Sequence, residues 1–214
     1  MMSALVIFAR EPVPGRVKTR LATGVGDEAA AEIYATLLEH TLQTAVRSDV
    51  EPMISLAADP DASWAATLGV PFEIQGRGDL GERMAECFTR RFSEGAGRTV
   101  IIGSDNAGLR PDHIRNAFAE LEKHSVVLGP ADDGGYWLIG QRTPGIDLFT
   151  GVPWSSPKTL DATRSMLQTL DVEWHELETL PDIDTEKDLK QALEDPRVDE
   201  DLRRRLHAVL SGFE

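Results

Sequence analysis

The sequence predicts an α/β fold, a three-layer α/β/α sandwich built on a mostly parallel sheet. Two observations predict it. Short β-like runs alternate with helical patterns along the chain, which implies right-handed βαβ crossovers. Several of the β-like runs are almost continuously apolar, which suits strands covered on both faces. Strands are expected at 4–9, 53–57, 72–75, 99–103, 125–129, 137–140 and 172–176. The first, fourth and fifth carry the apolar runs.

Helical periodicity fills the gaps. Residues 27–47 place Ala30, Ile33, Tyr34, Leu37, Leu38, Leu42 and Ala45 on one stripe. Residues 79–92 do the same with Leu80, Met84, Phe88 and Phe92, and Asp79 with Glu82 has capping-box spacing. Pro111 suits the first residue of a helix carrying Ile114, Phe118 and Leu121. Ser156 and Pro157 open another, with Leu160, Thr163 and Leu167 inward. Segments 185–194 and 199–210 read as two closing helices. A chain of 214 residues suits a single domain over 1–214, with 196–214 as a C-terminal helical extension.

Composition narrows the function classes. The net charge of −14 disfavours nucleic acid and anionic membranes as partners. No apolar run approaches the roughly 20 residues a membrane helix needs. The stretch 4–9 is too short for a signal peptide and has no basic segment before it. Cys87 is the only cysteine, which rules out an internal disulfide and fits a cytoplasmic location.

Ligands of such sheets bind beyond the carboxyl ends of the strands, so the loops there carry the argument. The loop Ala9-Arg-Glu-Pro-Val-Pro-Gly-Arg-Val-Lys-Thr-Arg-Leu21 sets Arg10, Arg16, Lys18 and Arg20 against one acid, Glu11. Two prolines and Gly15 stiffen it, and its cations suit charge-assisted hydrogen bonds to a phosphate. It is not a Walker A loop. Ile101-Ile-Gly-Ser-Asp105-Asn-Ala-Gly-Leu109 places Asp105 past an apolar strand, as a ligand for Mg²⁺ or Mn²⁺, or as a plain Asx-turn or cap of the next helix. Leu128-Gly-Pro-Ala-Asp-Asp-Gly-Gly-Tyr136 offers a metal or hydroxyl partner, or a hairpin turn whose returning strand begins at Tyr136. In Leu180-Pro-Asp-Ile-Asp-Thr-Glu-Lys-Asp-Leu189, Thr185 and Asp188 have capping-box spacing, and capping outweighs metal binding on this segment alone. Gly78-Asp-Leu-Gly-Glu-Arg-Met84 starts a helix, and Trp154 either stacks on a sugar or base or fills the core. The five histidines show no ligand spacing and read mostly as surface residues.

Those five segments, taken in chain order over residues 4–195, resemble the glycosyltransferase-A-like family of radical-SAM/selenodomain-associated glycosyltransferases. That family lies in the nucleotide-diphospho-sugar transferase superfamily, with 2-phospholactate and molybdenum-cofactor guanylyltransferases as distant relatives. The resemblance implies a Rossmann-like sheet that binds a nucleotide at its N-terminal half. It implies Mg²⁺ or Mn²⁺ on Asp105, with Asp184 as a second ligand, and Lys18 and Arg20 on phosphates. It also implies that Asp133, Gly134, Gly135 and Tyr136 face the acceptor. Arg10, Gly15, Gly78 and Arg83 complete the expected nucleotide-binding set, and Trp154 the acceptor side. One departure stands out. The family's proline two residues after the aspartate is Ala107 here, which predicts a looser turn.

The expected function is a metal-dependent transferase using a nucleotide-activated donor, a nucleotide-diphospho-sugar glycosyltransferase, with a small-molecule acceptor. Asp133 would position or deprotonate the acceptor hydroxyl, and Lys18 would stabilise the departing diphosphate. Two alternatives remain at this point: a guanylyltransferase-like nucleotidyltransferase joining an NTP to a phosphorylated acceptor, and a non-catalytic nucleotide-binding protein.

Overall fold

The computed structural model describes residues 2–57 and 60–213; the last residue of the expected 196–214 extension lies outside them. Seven strands form one sheet: β1 (Met2–Ala9), β2 (Pro52–Leu56), β3 (Phe72–Ile74), β4 (Ala96–Ile102), β5 (Val126–Pro130), β6 (Tyr136–Gln141) and β7 (Trp174–Glu176). Their order is β3-β2-β1-β4-β6-β5-β7, and β6 alone runs antiparallel to its neighbours. The mostly parallel α/β sandwich expected from the alternation is the fold observed.

Period-2 alternation divides each strand between two layers. Leu5, Ile7, Val100, Ile102 and Val127 pack with Leu38 and Leu42 of α2 (Asp27–Val46) and Ile114, Phe118 and neighbouring Leu121 of α5 (Pro111–Glu120). Val6, Ile101, Val126 and Leu128 pack on the other face with Met84 and Phe88 of α4 (Leu80–Ser93) and Leu160 and Leu167 of α6 (Thr159–Thr169). Burying each such side chain contributes about 1.5–3 kcal/mol. A third cluster joins Leu21 of α1 (Thr19–Val25), Ile33 and Leu37 of α2, Leu189 of α7 (Glu186–Glu194) and Leu202 and Leu206 of α8 (Glu200–Ser211). The closing helix thus packs within the chain, on the outer side of α2.

The differences from expectation are local. α1 lies inside what reads as a loop, and α3 (Ala62–Thr67) was not anticipated. Both are too short to show a 3.6-residue period, although Asp61 caps α3 through the N–H groups of Ser63 and Trp64. Strand β4 begins three residues early because it pairs with the start of β1. Helix α6 begins at Thr159, not Ser156, since Ser156 and Pro157 form the preceding turn closed by Thr159 N–H on the Ser156 carbonyl.

The chain leaves β1 for β2 and β3 on one side, then crosses to β4 on the other. That reversal opens a crevice beyond the carboxyl ends of β1 and β4. The loops after β1, β4, β5 and β7 all reach that edge.

Candidate active site

The loop after β1 is anchored before it is functional. Val17 is buried against Ala31 and Tyr34 of α2. The next residue, Lys18, takes a left-handed conformation at φ 46° and ψ 44°. For a residue with a Cβ this costs about 1–2 kcal/mol. The strain turns the side chain into the crevice. Its ammonium donates to Asp105 Oδ2 at 2.8 Å and to Asp184 Oδ1 at 3.2 Å. Arg20, two residues on, donates to Asp184 Oδ2 at 3.1 Å. Burial alone would lower the Lys18 pKa, but the carboxylates of Asp105 and Asp184 outweigh it and hold the group well above the ordinary lysine range. Lys18 is therefore a fixed positive charge at neutral pH.

Buried hydrogen bonds tie the β1 and β4 loops together. The Tyr34 hydroxyl accepts from the Arg10 backbone N–H at 2.9 Å and bonds Ser104 Oγ at 2.8 Å. Ala107 stands where a looser turn was expected. Ala107 is fully buried, and Asn106 Oδ1 closes the turn by accepting from Gly108 N–H at 3.1 Å. Asn106 also bridges to Asp182, and Ile183 N–H reaches the Asp105 carbonyl at 3.4 Å. The loop after β7 is thereby laid against the loop after β4. Thr185 and Asp188 form the anticipated capping box of α7, which frees Asp182 and Asp184 to face the crevice.

Asp182 was not among the expected site residues. It is half-buried, and its carboxyl is pushed up to about 7, first by burial and then by the charges of Asp133 and Asp105. Its signal lay in the sequence as a second aspartate two residues before Asp184, but only the approach of the β4 and β5 loops sets its environment. Asp133 stands exposed in an Asx-turn, its Oδ1 accepting from Gly135 N–H at 2.7 Å. Four carboxylates here meet two cations, Lys18 and Arg20. A diphosphate would be repelled by that balance unless a dication came with it. Asp105 and Asp184 already share one cationic group, and their hard oxygens suit Mg²⁺ or Mn²⁺. Among the described residues they are not part of a preassembled three-ligand cluster, so phosphate and water would supply the remaining positions.

The other expected residues divide into two groups. Gly15 and Gly78 adopt positive φ in turns bordering the cleft. Arg83 donates to Gln75 Oε1 at 2.8 Å, and its pKa is lowered by burial and by the charge of Arg10, so these two arginines approach one space. On the other side, Gly134 is an architectural residue. A Cβ there would come within 2.3 Å of the Pro157 carbonyl oxygen, and its φ is +86°. The Tyr136 hydroxyl is buried, and burial raises its pKa above the ordinary range. Trp154 is half-buried, edge-on to Tyr136 and pressed on Gly81. These three shape the wall rather than present polar groups to the cleft.

The fold has counterparts. A proposed nucleotide-diphospho-sugar transferase from Desulfovibrio desulfuricans is 30% identical with a TM-score of 0.86, covering 100% of this chain and 99% of that one. A 4-diphosphocytidyl-2C-methyl-D-erythritol synthase from Anaerococcus prevotii is similar in fold, with a TM-score of 0.60, 11% identity and coverage of 89% and 96%. So is a glucosyl-3-phosphoglycerate synthase from Mycobacterium tuberculosis in complex with Mn²⁺, UDP and glucosyl-3-phosphoglycerate, with a TM-score of 0.54, 13% identity and coverage of 99% and 79%. No curated protein matches the sequence. The family model for DUF2064, "Uncharacterized protein conserved in bacteria", matches residues 38–156. This match spans more than half of the chain, which belongs to the DUF2064 family.

Proposed function

We propose that the chain is a metal-dependent transferase using a nucleotide-activated donor, with a nucleotide-diphospho-sugar as the donor class. One observation carries the reading: Lys18, strained into the left-handed region, is held between Asp105 and Asp184 at the sheet's switch point. The full-length likeness to a proposed nucleotide-diphospho-sugar transferase supports it.

Asp105 and Asp184 would hold Mg²⁺ or Mn²⁺, which when bound supplies Lewis-acid charge for the diphosphate. Lys18 keeps its proton throughout and stabilises charge on the leaving diphosphate electrostatically. Arg20 adds charge from the solvent side. Arg10 and Arg83 grip the nucleotide's phosphates or base edge. Asp133, with Oδ1 committed to Gly135, has Oδ2 left to orient the acceptor hydroxyl and accept its proton. Gly134, Tyr136 and Trp154 set the acceptor wall.

A second reading, nucleotidyl transfer on the same edge, is favoured by the loop's surplus charge. The side chains of Arg10 and Arg16 bond no acid among the described residues, and they suit the β- and γ-phosphates of an NTP. The product separates the two. Purified protein is incubated with UDP-glucose, GDP-mannose or GTP, Mn²⁺ and phosphorylated or hydroxyl acceptors. Nucleoside diphosphate release is expected. Pyrophosphate release would sink glycosyl transfer and establish the second reading. Unchanged nucleotide and Mn²⁺ affinity in Asp105→Ala would sink the metal site in both.

A further inference from the structure

We infer that Glu120, His124 and His175 form a binding site for one transition-metal ion of the Zn²⁺ class, at the opposite end of the strands from the cleft. Glu120 is the last residue of α5, His124 lies in the turn leading to β5, and His175 is the middle residue of β7. His124 and His175 are 51 positions apart, which hides them from any spacing motif. The parallel pairing of β7 with β5 sets His175 opposite Val127 and so brings the two rings together.

The geometry is close to what a metal needs. One ligand atom from each residue lies within 4.8 Å of the others. Lys123 engages Glu120 Oε1 at 2.9 Å, which leaves Oε2 turned to the rings. That oxygen is 3.3 Å from His124 Nδ1 and 3.9 Å from His175 Nδ1. Ligands about 2.0–2.1 Å from a tetrahedral Zn²⁺ stand roughly 3.3 Å apart, so the first pair is already at that spacing and the second must close by about 0.6 Å. The ring centroids are 5.3 Å apart, tilted by 33°. All three side chains are partly exposed, so an ion can enter. Glu173, just before β7, lines an open pocket with His124 and Trp174, adding negative charge beside the site.

Two imidazoles and a carboxylate suit Zn²⁺, Co²⁺ or Ni²⁺ and not Mg²⁺, which prefers an all-oxygen shell. The donor set is thus chemically distinct from the aspartates of the cleft. A bound ion would clamp the three-residue edge strand β7 to the turn after α5. β7 leads into the loop that carries Asp182 and Asp184, so the clamp would steady that loop from below.

The test uses the full chain, stripped of metal with chelator and titrated with ZnCl₂ in excess Mg²⁺ by calorimetry, with Co²⁺ as a spectroscopic probe. The expected result is one Zn²⁺ per chain, affinity at least tenfold weaker in His124→Asn and in His175→Asn, and a visible Co²⁺ band lost in both. Zinc should raise the wild-type Tm by about 5 °C at saturating excess and leave the double variant unmoved. Asp105→Asn should keep its zinc, so that failure here and failure of the cleft reading are told apart. Zinc affinity in the double variant within twofold of wild type, or no zinc bound by wild type, would overturn the site. If circular dichroism shows either histidine variant misfolded, Glu120→Gln applies the same test without changing side-chain size.

Discussion

Two charged clusters in this molecule use the same residue types to different ends. Glu73 of β3 accepts from Arg90 at 2.9 Å and Arg91 at 2.8 Å, both on α4. Arg90 also reaches Glu86 at 2.6 Å, and Arg91 reaches Glu94 at 3.1 Å. The network is closed, and its central pair of Glu73 and Arg91 is largely buried. Its effect is to clamp a helix to an edge strand. The cluster of Lys18, Arg20, Asp105, Asp133, Asp182 and Asp184 is open. Two of its four carboxylates, Asp133 and Asp182, pair with no cation among the described residues, the Asp182 carboxyl is forced to keep its proton near neutrality, and its lysine is strained. Carboxylates that each bond an arginine, like Glu73, Glu86 and Glu94, read as structure. Unmatched ones at strand ends read as a site prepared for a ligand that completes the balance.

That contrast can be broken by substitutions on each side. The largest effect is expected from Asp105→Asn: Mn²⁺-dependent nucleotide affinity should fall about 100-fold or more, near 3 kcal/mol, with the fold retained by circular dichroism. An affinity loss under threefold would remove the open cluster from function. Next comes Glu73→Ala, which leaves the largely buried Arg91 with Glu94 alone among its acids. Stability should drop by about 2–3 kcal/mol in urea unfolding, with Tm about 5–10 °C lower and ligand affinity unchanged. Changed ligand affinity there would show that the closed cluster is more than a clamp.

Asp182→Asn sharpens the comparison through pH. The Asp182 pKa is raised from an ordinary 3.8 to about 7, so the folded chain holds this proton more tightly than the unfolded one. The resulting instability is absent below pH 3.8, grows as pH rises to about 7, and is complete above it. Without metal, Asp182→Asn should match wild type at pH 4 and exceed it by about 1–2 kcal/mol at pH 8. A constant difference across pH would show that the carboxyl is not strained. The smallest effect belongs to Arg20→Ala. Arg20 is 70% exposed, so its pair with Asp184 should contribute under about 1 kcal/mol to stability, while diphosphate affinity falls a few-fold.

Much of the fold was legible because its signals are local. Apolar runs marked β1, β4 and β5, and the stripes marked α2, α4 and α5. Asp79 with Glu82, and Thr185 with Asp188, form the capping boxes their spacing announced. Short elements escaped, as α1 and α3 show. At the site, Lys18 and Asp105 could be proposed from their place after apolar strands, and Asp184 through family resemblance. The histidines, expected mostly at the surface, are graded: His113 is buried, His40, His124 and His175 are half-buried, and His207 is exposed. Their surroundings come from strand pairing, which no single segment reports.

The sequence by itself determined which layers this protein has and which loops carry charge, because hydrophobic periodicity and turn chemistry act over a few residues. Only the tertiary structure decided which charges meet. Strand order placed Lys18 between Asp105 and Asp184, laid Asp182 beside Asn106, and set His175 by His124. Coulomb and desolvation terms depend on distance in space, and the fold, not the spacing of residues along the chain, sets that distance.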